Sequence, residues 1–168
     1  MKDTGMVRRA RSDDCEAIAR IYNEAITERR ATFETQPCSG ADIEKWLGSP
    51  GHPVLVAEYG GVVAGWARIA PYSARACYAG VGEASIYVQG SMRGRGAGGS
   101  LAWALRDYAE RAGFHKLVGK LFTENHRSRR LVTRHGFREV GTHLRHGFME
   151  GEWRDVLVVE LLLGDSRD

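Results

Sequence analysis

The sequence predicts a mixed α/β fold, one sheet covered by helices. Three observations carry this. Apolar, β-branched runs alternate with segments of helical spacing, in the order β-α-α-β-β-β-α-β-α-β-β. Gly60-Gly61 and the turn "MEGE" each join two strand-like runs directly, which marks hairpins. A length of 168 residues, 43% of them hydrophobic, suffices for one buried core. The expectation is a single domain over residues 1–168, with only the last few residues loose.

The elements follow in order. "VRRA" (7–10) is a short first strand. Ser12 is placed as an N-cap, with Asp13 and Asp14 in the first turn, where the helix dipole favours acids. Ile18, Ile21, Tyr22, Ala25 and Ile26 fall at helical spacing, so 13–28 is an amphipathic helix. Ser39 and Asp42 form a capping box for a short helix through Leu47. "VLVAEY" and "VVAGWARIA" are the hairpin around Gly60-Gly61, and "EASIYV" (83–88) is the next strand. A glycine-rich loop leads into a helix from about Gly98 to Ala112, ended by Gly113. "KLVGKLF" is a strand, "NHRSRRLVTRH" a helix closed by Gly136, and "FREVGTHLRHGF" and "WRDVLVVELLL" two long final strands.

Composition excludes some classes. A net charge of +3 is too small to argue for nucleic acid. No apolar run is long enough to span a bilayer. The opening "MKDTGMVRRARSDD" lacks an apolar signal core, so a cytoplasmic location is expected. Cys15, Cys38 and Cys77 are odd in number and scattered, which fits a reducing compartment and forms no ligand pair.

The stretch "IYVQGSMRGRGAGGSLAWAL" (86–105) carries the first functional signal. Gly94-x-Gly96-x-x-Gly99 matches the dinucleotide fingerprint literally, but there the first glycine makes the strand-to-helix turn. Here five residues separate Val88 from Gly94. A P-loop fails because no Gly-Lys-Ser/Thr follows. A plain flexible turn is the bland alternative. Taken instead as Arg93-x-x-Gly96-x-Gly98, the loop aims backbone N–H groups into one nest. The next helix adds its free N-terminal N–H groups, and Arg93 and Arg95 add charge at the rim. That describes a pyrophosphate site.

"SIYVQGSMRGRGAG" resembles the acyl-CoA-binding signature of the GNAT N-acetyltransferases, and the order of elements agrees over almost the whole chain. "PYSARACYAGVGEASIYV", "TENHRSRRLVTRHGF" and "HGFMEGEWRDVLVVEL" are similar to the phosphinothricin acetyltransferase branch. "KLFTEN", "GFREVG" and "WRDV" most resemble its arsinothricin-resistance relatives. The resemblance implies a mixed, mostly antiparallel GNAT-like sheet, acetyl-CoA as cosubstrate and no metal. It also implies that backbone groups of Tyr87 and Val88 pair with the pantetheine arm, while Arg93, Gly94, Arg95, Gly96, Ala97 and Gly98 take the pyrophosphate. Asn125 and Ser128 match the second CoA contact, and Asn125 suits a helix N-cap equally. The branch usually forms homodimers.

Acetyl transfer to an amine needs a neutral nucleophile, and an α-ammonium must first lose a proton. Glu83 matches the catalytic glutamate of the resemblance, in "GEASIYV". A carboxylate on a half-buried strand can be tuned toward a general base; a strand-edge glutamate facing water is the alternative. No acyl-enzyme is implied, and N–H groups near Val88 would steady the oxyanion. The sequence departs from the family at Val132, where many GNAT enzymes have tyrosine and this branch often histidine. No general acid is supplied there; Tyr78 and Tyr87 are weak substitutes.

For the acceptor, Arg75 stands where the branch has an arginine that meets acidic groups. A guanidinium grips a carboxylate, phosphinate or arsinate with two parallel bonds. Phe33, Tyr78 and Ser85 match further pocket positions, and Phe33 suits ordinary core packing too. His143-x-x-His146 is set aside as a metal pair, because an offset of three on a strand puts side chains on opposite faces. Cys77 has no histidine near it in sequence to activate it. "HRSRR" is explained by a CoA site without invoking RNA.

The leading expectation is an N-acetyltransferase for the α-amine of a small acidic amino-acid analogue of arsinothricin or phosphinothricin type, conferring resistance to it. The partners expected are that small molecule and a second copy, with no nucleic acid and no membrane. Rivals are a methionine sulfone or sulfoximine acetyltransferase, a non-catalytic acyl-CoA sensor, and an RNA binder using "RGRG".

Overall fold

The computed structural model describes residues 5–164. The expected looseness of the last few residues concerns 165–168, outside the described residues. Strands β1 (Met6–Arg9), β2 (Val54–Tyr59), β3 (Val62–Pro71), β4 (Val81–Val88), β5 (Lys116–Phe122), β6 (Arg138–Met149) and β7 (Glu152–Leu162) alternate with helices α1 (Cys15–Glu28), α2 (Gly40–Leu47), α3 (Ala97–Arg111) and α4 (His126–Arg134) in the expected order. They form one sheet of order β1-β2-β3-β4-β5-β7-β6. All neighbours are antiparallel except β4 and β5.

The period of two along β2 builds both layers. Leu55 and Ala57 face α3, packing with Ala67, Ile69, Leu101, Leu105 and Leu117. Val54 and Val56 face α1 and α2, packing with Ile18, Ile21, Ile43 and Trp66. The hairpin turn holds as expected, since Gly60 and Gly61 both adopt positive φ, 56° and 78°. Beyond β5 the sheet thins: β6, at the edge, is exposed over nearly its whole length.

Two local readings change. Ser12 does not cap α1. It opens a 3₁₀ turn (Ser12–Asp14), and its hydroxyl donates to Glu44 at 2.8 Å. Asp14 closes the turn by accepting the Arg11 N–H at 2.8 Å, and its carboxylate is held by Arg8 at 2.7 and 3.0 Å. A two-pronged partner from β1 thus outcompetes simple dipole stabilisation. The fourth strand also starts two residues early, at Val81, so Glu83 lies within it.

Candidate active site

Strand β4 pairs with β5 only through Val81, Gly82 and Glu83, which lie opposite Lys116, Leu117 and Val118. From Ala84 to Val88 it keeps β3 as its neighbour but loses β5. A row of main-chain groups is thereby left on one edge, and such groups demand partners. The cleft is lined by Ala84, Ser85, Ile86 and Tyr87 on one side and Gly119, Lys120 and Leu121 on the other. Asn125, Ser128 and Val132 of the α4 segment close it.

At the end of β4 the chain makes a 3₁₀ turn (Gly90–Met92), anchored where the Gly90 N–H donates to Glu24 at 2.7 Å. Gly94 and Gly96 then take φ of 80° and 97°, and a Cβ on either would meet open space. The glycines serve conformation, not tight packing. Gly96 is the N-cap of α3, whose first turn (Ala97, Gly98, Gly99) has no side-chain cap. Those N–H groups and the helix dipole face the space above the loop.

The two loop arginines behave differently. Arg95 is exposed. Arg93 does not stand at the rim as the sequence suggests: its guanidinium is bound by Glu28 at 2.8 and 2.9 Å, and its Nε donates to the Val88 carbonyl at 3.1 Å. It braces the loop against α1. Across the cleft, the Asn125 side chain accepts the Ser128 N–H at 3.1 Å, capping α4, and donates to the Arg30 carbonyl. The free β4 edge, the positive-φ glycines and the uncapped first turn of α3 fit an acyl-CoA: a strand partner for its arm, a nest for its phosphates.

Glu83 is half-buried on β4, and it has a partner the sequence did not announce. The Lys120 ammonium lies 3.0 Å from its carboxylate. Lys120 sits two residues past Val118, the register partner of Glu83, so both side chains share one face. The contact is a partly exposed ion pair. Tyr87 is stacked on Trp66 (4.7 Å) and donates its hydroxyl to the Ala31 carbonyl at 3.3 Å; burial pushes its pKa up. That environment holds the phenolic proton in place. Val132 lines the cleft with no acidic hydrogen to offer.

The residues expected to meet the acceptor are each placed by local structure. Arg75 caps a 3₁₀ turn (Ala76–Tyr78) between β3 and β4, and its side chain is exposed. Tyr78 packs edge-on with Tyr72 at 5.6 Å. Phe33 packs edge-on against Phe122 at 4.6 Å and lies over the bare backbone of Gly147. It is a packing residue, one of the two expected roles, and remains 36% exposed. Ser85 faces Arg68 across the β3–β4 register. The Arg68 guanidinium lies 4.4 Å over the Trp46 ring. Sequence reasoning missed Lys120 and Arg68, because only strand register places them beside Glu83 and Ser85.

One exclusion rested on geometry that the fold overturns. His143 and His146 do not point to opposite faces; their rings stack at 4.4 Å and 17°. A bulge between His143 and Gly147, with Arg145 at φ 52° and its N–H bound to Asp155, turns the strand between them. Two imidazoles alone do not make a site: among the described residues, no group of three His, Cys, Asp or Glu is placed to hold a metal ion. A larger cavity, about 250 Å³, lies away from Glu83, between Arg106, Gly136, Arg138 and Glu160. Lys116 and Arg138 already neutralise Glu160, so this is a structural ion cluster.

A mixed sheet that parts between its fourth and fifth strands, followed by a phosphate nest at a helix start, defines an acyl-CoA-dependent acyltransferase of the GNAT type. The chain belongs to the acetyltransferase (GNAT) family, whose model matches residues 16–137, and it is an N-acetyltransferase. It is 31% identical to the L-methionine sulfoximine/L-methionine sulfone acetyltransferase of Salmonella typhimurium, over 95% of this chain and 95% of that one. It is 31% identical to the phosphinothricin N-acetyltransferase of Streptomyces coelicolor, over 89% and 91%. A phosphinothricin acetyltransferase from Sinorhizobium meliloti, solved with acetyl-CoA, superposes with a TM-score of 0.90 at 29% identity, covering 96% of this chain and 90% of that one.

Proposed function

We propose that this chain, as one domain, acetylates the α-amine of a small acidic amino-acid analogue of arsinothricin or phosphinothricin type, with Glu83 as general base. The observation that carries the reading is the Glu83 carboxylate at the point where β4 leaves β5, held by Lys120 at 3.0 Å. Bound acetyl-CoA supplies the thioester acetyl group. Tyr87 and Val88 offer it strand groups, residues 93–98 a phosphate nest, and Asn125 and Ser128 the far wall. Glu83 takes a proton from the acceptor's ammonium; the neutral amine then attacks the thioester carbonyl, the C–S bond breaks, and CoA leaves as a thiolate that receives the nitrogen's surplus proton through water, so no residue of the chain carries the acetyl group. Arg75, with Phe33, Tyr78 and Ser85, receives the acceptor; its exposed guanidinium is free to take an acidic end.

Acetylation would silence such a compound in the cytoplasm and so confer resistance. The similarity to methionine sulfoximine and sulfone acetyltransferases supports a second acceptor class with neutral side chains. A panel of L-phosphinothricin, L-arsinothricin, L-methionine sulfone and common amino acids, scored by thiol release from acetyl-CoA, tests the reading. Highest kcat/KM for the arsinate or phosphinate is expected; turnover of neither overturns the acceptor class.

We also assign a homodimer. Leu144, Phe148, Trp153 and Val140 are each more than half exposed on the β6–β7 hairpin, an apolar surface in want of cover. Light scattering at micromolar concentration should give twice the chain mass; the monomer mass contradicts the assignment.

A further inference from the structure

Arg68 stands at the centre of β3, on the face that carries Glu83 and Ser85. Three observations set it apart. Its register partner is Ser85, and Ala70, two residues on, is the partner of Glu83, so Arg68 is one strand step from the base. Its guanidinium stacks 4.4 Å over Trp46, which joins Tyr22 and Trp66 in one aromatic group. Among the described residues, its buried Nε has no hydrogen-bond partner and no carboxylate forms an ion pair with the side chain. The neighbouring cations differ: Lys120 is paired with Glu83, Arg93 with Glu28 and Arg154 with Glu124.

A half-buried cation without a counter-ion is costly, and stacking on indole recovers only part of its lost hydration. Burial acts against the charge of Arg68, as its lowered pKa records. A flat fork held against an indole and already partly desolvated is prepared for an oxyanion, since part of the ordering and dehydration precedes the ligand.

We infer that Arg68 is a specificity residue that grips an oxyanion of the acceptor, on the side of Glu83 opposite Arg75. This rests on the acceptor reading above and extends it. Along the strands the order is Arg75 in the loop, then Glu83, then Ser85 with Arg68. An amine placed at Glu83 therefore lies between two cations. An amino acid with an acidic side chain carries an anion at each end and satisfies both; a neutral amino acid satisfies one. The oxyanion at Arg68 is either the carboxylate shared by every amino acid or the acidic side-chain group.

Calorimetric titration separates these sources and does not depend on turnover. Wild type and Arg68→Met, saturated with CoA, are titrated with L-phosphinothricin and with L-methionine sulfone. Methionine keeps the apolar cover on Trp46, and an unchanged CoA affinity verifies folding. A lost bond to a charged group corresponds to roughly tenfold or more. Loss of that size for both acceptors assigns Arg68 to the shared carboxylate; loss for phosphinothricin alone assigns it to the acidic side chain. Equal affinity of wild type and Arg68→Met for both acceptors overturns the inference. Should Arg68→Met not fold, Arg68→Lys decides, because lysine keeps the charge but loses the fork: weaker binding supports the inference and equal binding overturns it. If wild type binds neither acceptor, the acceptor class fails and the role of Arg68 with it, whereas wild-type binding with no effect of substitution removes Arg68 alone.

Discussion

Between Gln89 and Gly98 the groups open to a ligand are mainly backbone N–H groups, whereas the sheet face that carries Glu83 presents side chains. The loop needs only conformation: two positive-φ glycines and a helix start with unsatisfied N–H groups. The sheet face needs composition: Glu83 with Lys120, Ser85 with Arg68, and Arg75 beyond the strand ends. A backbone nest recognises a phosphate whatever is attached to it, which suits a common acetyl donor. A side-chain face can be changed one residue at a time, which suits a variable acceptor. Even Arg93 follows this division, since it braces the nest through Glu28 and Val88.

Substitutions should separate the two regions. The largest effect on binding is expected in the nest. Gly96→Val forces a β-branched residue to φ 97° and puts a side chain into open ligand space. Backbone strain of about 1–3 kcal/mol plus lost donors should weaken acetyl-CoA binding by on the order of 10²-fold. Calorimetry alongside circular dichroism checks it; normal affinity in a folded variant would make the loop a mere turn.

Arg75→Ala should act on the other side only, raising KM for the acidic acceptor roughly tenfold while KM for acetyl-CoA stays put. An effect on acetyl-CoA alone would dissolve the division at that residue.

The stability of the fold that carries both regions is testable through pH. Arg8 holds the Asp14 carboxylate below its ordinary range through paired hydrogen bonds, against the opposing effect of burial. A depressed native value means stability that is fully present above the unfolded pKa and lost as pH falls through the folded one. Asp14→Asn should therefore cost about 1.5–3 kcal/mol at neutral pH. The gap to wild type in urea melts should narrow below about pH 4. A gap constant with pH would mean the pair contributes nothing through charge.

The smallest effect is expected at Lys120, whose pair with Glu83 is partly open to water. Exposed pairs contribute about 0.2–1 kcal/mol, so Lys120→Met should lower kcat/KM no more than about fivefold, with partial recovery in Lys120→Arg. No change in either variant would leave Glu83 positioned by the strand alone.

The same division explains what was legible in the sequence. The nest is contiguous, and its glycines announce their conformation, so residues 93–98 stand out on a single line of text. Glycines at turns and the capping box at Ser39 and Asp42 likewise fixed most element boundaries. Arg68 lies seventeen residues before its register partner Ser85 and Lys120 thirty-seven after Glu83, and nothing local marks them. Only the strand register and the splaying of β4 from β5 bring them to the base. The His143–His146 bulge was hidden for a related reason: Arg145 adopts left-handed backbone without a glycine to signal it.

The most direct test of the account is Glu83→Gln, measured for turnover across pH and for acetyl-CoA affinity. Affinity should be unchanged, because the nest lies elsewhere. Turnover at neutral pH should fall by about 10²–10⁴-fold, and the deficit should shrink as pH rises and the free amine becomes abundant. Turnover at neutral pH equal to wild type would remove Glu83 from the chemistry and contradict the division of labour between the backbone nest and the side-chain face.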